Sequence, residues 1–102
     1  MTTTTLLNGV TTTGAGSGNG GPCGSNSYQA TVTGTGAVSA TVAVEVSNDG
    51  QNWLNIGTIT LSGTDSASDG FAVGFGCKYN FSRGNVTAIS GTGAALNLNM
   101  VS

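Results

Sequence analysis

Apolar and polar residues alternate along most of this chain, the spacing that turns one face of a strand inward and the other toward water. Val38, Ala40, Val42, Val44 and Val46 form the cleanest stripe, with Ser39, Thr41, Ala43, Glu45 and Ser47 opposite. Tyr28, Ala30 and Val32 make a shorter one, and Leu96, Leu98 and Met100 oppose Asn97 and Asn99 near the end. Phe71, Val73, Phe75, Cys77, Tyr79 and Phe81 give the longest apolar alternation, and the spacing predicts one strand there. Leu54 and Ile56 continue the apolar face after the turn that follows Ser47, whereas Ile59 and Leu61 fall on the other parity. A bulge at Gly57 would reconcile them. Thr2 to Val10 alternates weakly and reads as a first strand or an extended arm.

No segment sustains a helical period, and turn residues recur every 8–12 or so positions. The pattern predicts an all-β fold: a single-domain β-sandwich or jelly roll of about seven to eight antiparallel strands. Residues 28–102 would form this domain. Residues 1–27 would be an N-terminal arm and Gly-rich linker, because "TTTGAGSGNGGPCGSNS" is almost devoid of apolar side chains.

Composition narrows the chemistry. Only 6% of the residues are charged, against about 25% in ordinary soluble domains, so Thr, Ser, Asn and Gly must cover the surface. The net charge of −2 and a total of two Lys and Arg give no basic patch, which argues against nucleic-acid binding. No apolar run reaches the ~18 residues needed to span a bilayer as a helix, so no membrane partner is expected. The opening "MTTTTLLNGV" lacks a positive n-region and a long apolar core. It is read as no signal peptide, with synthesis in a cytoplasm. Cys23 and Cys77 are then two free thiols by default, a disulfide being the alternative.

With no histidine in the chain, Ser-His, Cys-His and His-based metal sites are excluded. Asp65 and Asp69, in "SGTDSASDGF", have the residue types of a glycosidase pair. They would need a cleft that drives their pKa values apart, and solvated turn carboxylates are the simpler reading. Gly16 to Gly21 satisfies G-x-G-x-x-G, but no helix follows to receive a phosphate. Asn48, Asp49 and Asn52 are too thin a set for calcium, whereas Asn48-Asp49-Gly50 has the chemistry of a hairpin turn. No enzymatic activity and no cofactor are expected. Trp53, just past that turn, is either a contact residue or a cap on the core. Tyr28 carries the same two readings, and Trp53, Tyr28, Asn48 and Asp49 are the candidate partner contacts.

Three stretches, "TTTTLLNGVTTTGAGS", "VEVSNDGQNWLNIGTITLSGT" and "RGNVTAISGTGAALNLNM", carry a family likeness. Together they resemble small β-sandwich virion proteins of tailed bacteriophages, which cement or decorate capsids or sit at head and tail attachments. The likeness runs from Thr2 to Val101; the Gly-rich insert around Gly20 to Gly24, with Cys23, departs from it. It implies a structural protein on the capsid surface, assembled in the host cytoplasm. Its partners would be the major capsid protein or other virion subunits, and it would form a homo-oligomer, a trimer or dimer. The arm, Met1 to Ser27, would lie on a neighbouring subunit. A head–tail, collar or tail component is the nearest alternative. A carbohydrate-binding module using Trp53, Tyr28 and Tyr79 is the alternative of another class.

Overall fold

A computed structural model of the chain describes residues 3–16, 26–73 and 79–101. Among them are five strands and no helix: β1 (Thr3–Val10), β2 (Gly14–Ala15), β3 (Ser27–Ser47), β4 (Leu54–Ala72) and β5 (Phe81–Val101). All pairings are antiparallel, in the order β1-β5-β3-β4, with β2 also on β5. The fold is therefore all-β. The strand number differs from the expected seven to eight because neighbouring stripes join: Tyr28–Thr33 and Val38–Val46 belong to one strand, β3. Val86–Ile89 and Ala94–Val101 likewise belong to β5.

These strands are far longer than the usual five or six residues, and they bend. At about 3.3 Å per residue, the 21 residues of β3 would stretch roughly 70 Å if straight. The longest dimension of the molecule is only 39 Å. All three long strands break regularity at one level. The β3–β4 register shifts between Thr33 and Ala37, and β3 slips against β5 between Thr33 and Ser39. Gly36 has φ +74°, Asp65 φ +66°, and Gly91 and Gly93 φ +123° and +66°. The Gly36 N–H donates to Asp65 Oδ1 at 2.8 Å, so the Asp65 carboxylate satisfies a donor freed by the corner.

Beyond the corner the sheet folds back, and its two halves face each other across one core. A methyl placed on Gly84 would lie 2.6 Å from Leu98 Cδ2, further along the same strand. Gly57 similarly faces the ring of Phe71, also on its own strand. The Tyr28 and Ser82 hydroxyls, from opposite halves, share a hydrogen bond at 3.2 Å. Between the halves lie Ala30, Val32, Val38, Ala40, Val42, Val44, Leu96, Leu98 and Met100, all buried. The predicted Val38–Val46 stripe is thus the inner face of the central strand.

Gly57 marks a bulge, as its change of parity predicts. Val44 pairs with Gly57 but Glu45 with Asn55, leaving Ile56 over. Asn55 Oδ1 accepts the Gly57 N–H at 2.8 Å and holds the distortion. Ile59 and Leu61 then point inward and are buried.

Of the two readings of Thr2–Val10, a first strand or an extended arm, Thr3–Val10 is a strand that pairs with β5 in the chain's own sheet. A register shift at Leu6 turns both Leu6 and Leu7 into the core, which the weak alternation concealed. The Phe71–Phe81 alternation is not one strand: Phe71 lies near the end of β4, Phe81 opens β5, and Val73 and Tyr79 stand between them outside any strand. Phe75, Cys77 and Cys23, with the Gly-rich insert of residues 20–24, lie outside the described residues.

Candidate functional site at the hairpin end

The connection between β3 and β4, residues 48–53, is built on two side chains. Ser47 Oγ accepts the N–H groups of Asp49 and Gly50 at 3.2 and 2.9 Å and donates to Asp49 Oδ1 at 2.8 Å. Asp49 Oδ1 also accepts the Gln51 and Asn52 N–H groups, and its Oδ2 accepts Asn52 Nδ2, each at 2.9 Å. These bonds, led by the Asn52 and Gln51 amides, hold the Asp49 carboxyl well below the usual carboxylate range. Gly50 takes φ +75°, the positive value that the Asn-Asp-Gly sequence predicts for a turn. Across the end of the sheet, Asn80 Nδ2 donates to the Asn48 carbonyl at 3.2 Å.

On the outer face, one turn back from this tip, two strands and the connecting loop contribute a stack. Glu45 of β3 and Arg83 of β5 are direct register partners, and Arg83 Nε donates to Glu45 Oε1 at 2.7 Å. Asn85 Nδ2 lies 3.4 Å from Glu45 Oε2. The Arg83 guanidinium sits 4.2 Å from the centre of the Trp53 ring, a cation–π contact. Both charged side chains are partly shielded, 23% and 15% exposed, so the pair is better fixed than a fully solvated one. Leu54 and Phe81 are the exposed large apolar side chains of the described residues, 54% and 37% exposed. They flank Val46 and Ser47 of β3 from either side, since Leu54 pairs with Val46 and Phe81 with Ser47. A cleft of about 230 Å³ opens at the same end, lined by Ser47, Asn48, Asp49, Asn52, Leu54 and Tyr79.

The four sequence candidates divide. Trp53 is half-buried and lies over Arg83, outside both apolar clusters of the described residues. Asn48 is exposed at the tip. Asp49 is also at the tip, but its oxygens are engaged in building the turn. Tyr28 lies in the interior: it is 2% exposed, with its ring 5.3 Å from that of Phe71 and its hydroxyl bonded to Ser82. Asp65 and Asp69 each accept a backbone N–H, from Gly36 and Gly70.

Sequence reasoning missed Glu45, Arg83, Leu54 and Phe81. Leu54 has inward parity, but it sits where β4 begins and no element among the described residues covers it. The pairing of Arg83 with Glu45 depends on β5 lying beside β3, a non-local fact absent from either stretch.

In comparisons with protein-family models, with curated proteins and with solved structures, nothing matches this chain.

Proposed function

We propose that this chain is a structural, non-catalytic virion protein of a tailed bacteriophage, a cement or decoration subunit that binds between capsomers. The observation that carries this reading is the make-up of the hairpin end. Trp53 stacks over an ion-paired Arg83, with exposed Leu54 and Phe81 beside β3. Aromatic and arginine side chains that are already ordered lose little entropy on docking and are the usual anchors of protein interfaces. The likeness of the three sequence stretches to small phage virion proteins supports the same assignment. The faced halves of the bent sheet support a sandwich-like closure in which each long strand serves both layers. In this reading the protein sits on the capsid surface as a small oligomer, and its hairpin end meets the major capsid protein.

Virions of the phage that encodes the chain provide the test. Quantitative gel or mass analysis should find the protein in many copies per capsid, and few copies would assign it to the head–tail junction or tail instead. Added to capsids lacking it, the Trp53→Ala, Leu54→Ser double variant should bind with much reduced occupancy. Absence from purified virions would defeat the proposal.

The cleft favours one second reading. Its wall pairs Leu54 and Tyr79 with the amides of Asn48 and Asn52, the mixture of apolar and hydrogen-bonding groups that a sugar ring requires. Glycan-array binding that is lost in Tyr79→Ala, with capsid occupancy unchanged, would establish it.

A further inference from the structure

The two edges of the sheet are treated differently. Along β1, two register shifts interrupt eight residues, and Gly9 at the second donates its N–H to Asn97 Oδ1 at 2.9 Å. Such breaks keep an edge from accepting another strand. At the opposite edge, β4 has β3 as its one neighbour among the described residues. Its register with β3 is unbroken from Gly57 to Thr64, and that stretch holds no charge and no proline. An uncharged, regular edge of this kind is an open template for main-chain pairing.

The stretch is also self-complementary. Gly57-Thr58-Ile59-Thr60-Leu61-Ser62-Gly63 has the same chemistry read in either direction about Thr60. Ile59 and Leu61 are buried on the inner face, while Thr58, Thr60 and Ser62 are exposed on the outer one. We propose that β4 pairs antiparallel with β4 of a second copy about a two-fold axis at Thr60, forming a homodimer with a continuous sheet. This register sets Gly57 against Gly63, Ile59 against Leu61, Thr58 against Ser62 and Thr60 against itself. Hydroxyl pairing of the Thr58–Ser62 kind already occurs within the chain: Thr31 meets Ser68 at 2.9 Å and Ser39 meets Ser90 at 2.7 Å. With no charge along the run, nothing repels the second copy. The proposal names a surface for the oligomer of the virion reading but does not rest on that reading.

Sedimentation velocity over a concentration series tests it, with circular dichroism as the check of fold. Wild-type protein should pass from monomer to dimer as concentration rises. Thr60→Lys and Thr60→Glu should each stay monomeric, because like charges would meet on the axis, and an equimolar mixture should recover the dimer. Hydrogen exchange on the wild type gives a reading free of any variant: amides of residues 57–63 should be more protected at high concentration than at low. A wild type that stays monomeric throughout overturns the proposal. So does a Thr60→Lys protein that dimerises like wild type, or a dimer that leaves those amides unprotected. Each of these outcomes leaves the capsid-binding assay standing, so the two readings fail separately.

Discussion

Alanine at Gly84 distinguishes a folded-back β5 from a straight one by the sign of its effect. In a straight strand at about 3.3 Å per residue, Gly84 and Leu98 would be roughly 45 Å apart. A Gly→Ala change at a backbone that tolerates it would then stabilise by about 0.4–1 kcal/mol, through the unfolded chain. In the bent strand the new methyl would stand 2.6 Å from Leu98 Cδ2 and 2.7 Å from Leu7 Cδ1. Carbon atoms prefer about 3.5–4.0 Å, so two buried leucines must give way by about 1 Å each. Overpacking of this kind costs about 1–3 kcal/mol, which outweighs the entropic gain. The expected net loss is about 1–2 kcal/mol, or a fall in Tm of roughly 5–15 °C by calorimetry. Leu98→Val on the Gly84→Ala background should recover part of the loss, because it removes the carbon that collides. A Tm that rises in Gly84→Ala, or two changes that simply add, would refute the contact between the two halves of β5.

Two further predictions follow from the turn and the first strand. Because Asp49 is held below the usual carboxylate range, its support of the turn is fully present above the ordinary aspartate pKa of about 3.9 and is lost only as pH falls through the lower folded value. NMR shifts of the Gln51 and Asn52 amides should therefore hold steady through about pH 4 and move in more acid solution, and a midpoint at about 3.9 would contradict the hydrogen-bond assignment. Deleting residues 1–10 removes Leu6 and Leu7, 6% and 4% exposed, from the core. At about 1.5–3 kcal/mol for each buried leucine, the truncated protein should lose most of its cooperative unfolding transition, and an unchanged Tm would show β1 to be dispensable.

Local patterning carried the sequence reading where one strand face is buried and the other wet. The Val38–Val46 stripe, the Leu96–Met100 stripe, the turn at Asn48-Asp49-Gly50 and the bulge at Gly57 were all legible, since each is encoded within a few neighbouring residues. Strand continuity was not legible. Gly34-Thr35-Gly36 reads as a loop, yet the chain passes through it without leaving the sheet, because β4 and β5 bend at the same level. The candidate site was half legible. The place of Trp53 and Asn48 at the hairpin end follows from their positions beside the turn, but the interior place of Tyr28 depends on Ser82 and Phe71, which come from distant segments. The Glu45–Arg83 pair required a register between strands that no local window contains.

The central position of β3 has a kinetic consequence. Its pairing with β4 can start at the turn, where Val46 meets Leu54, and zip outward over short loops. Its pairing with β5 joins Ser27 to Val101 and Thr33 to Ala95, contacts that must close most of the chain before they return any energy. The registers lead us to expect slow folding, on the scale of roughly milliseconds to seconds seen for non-local β topologies, with the docking of β5 onto a β3–β4 hairpin as its late step. Until that docking, the apolar stripe of β3 stays open to other unfinished copies. On that expectation, a change that slows the arrival of β5 should raise aggregation during refolding even where the final stability is unchanged.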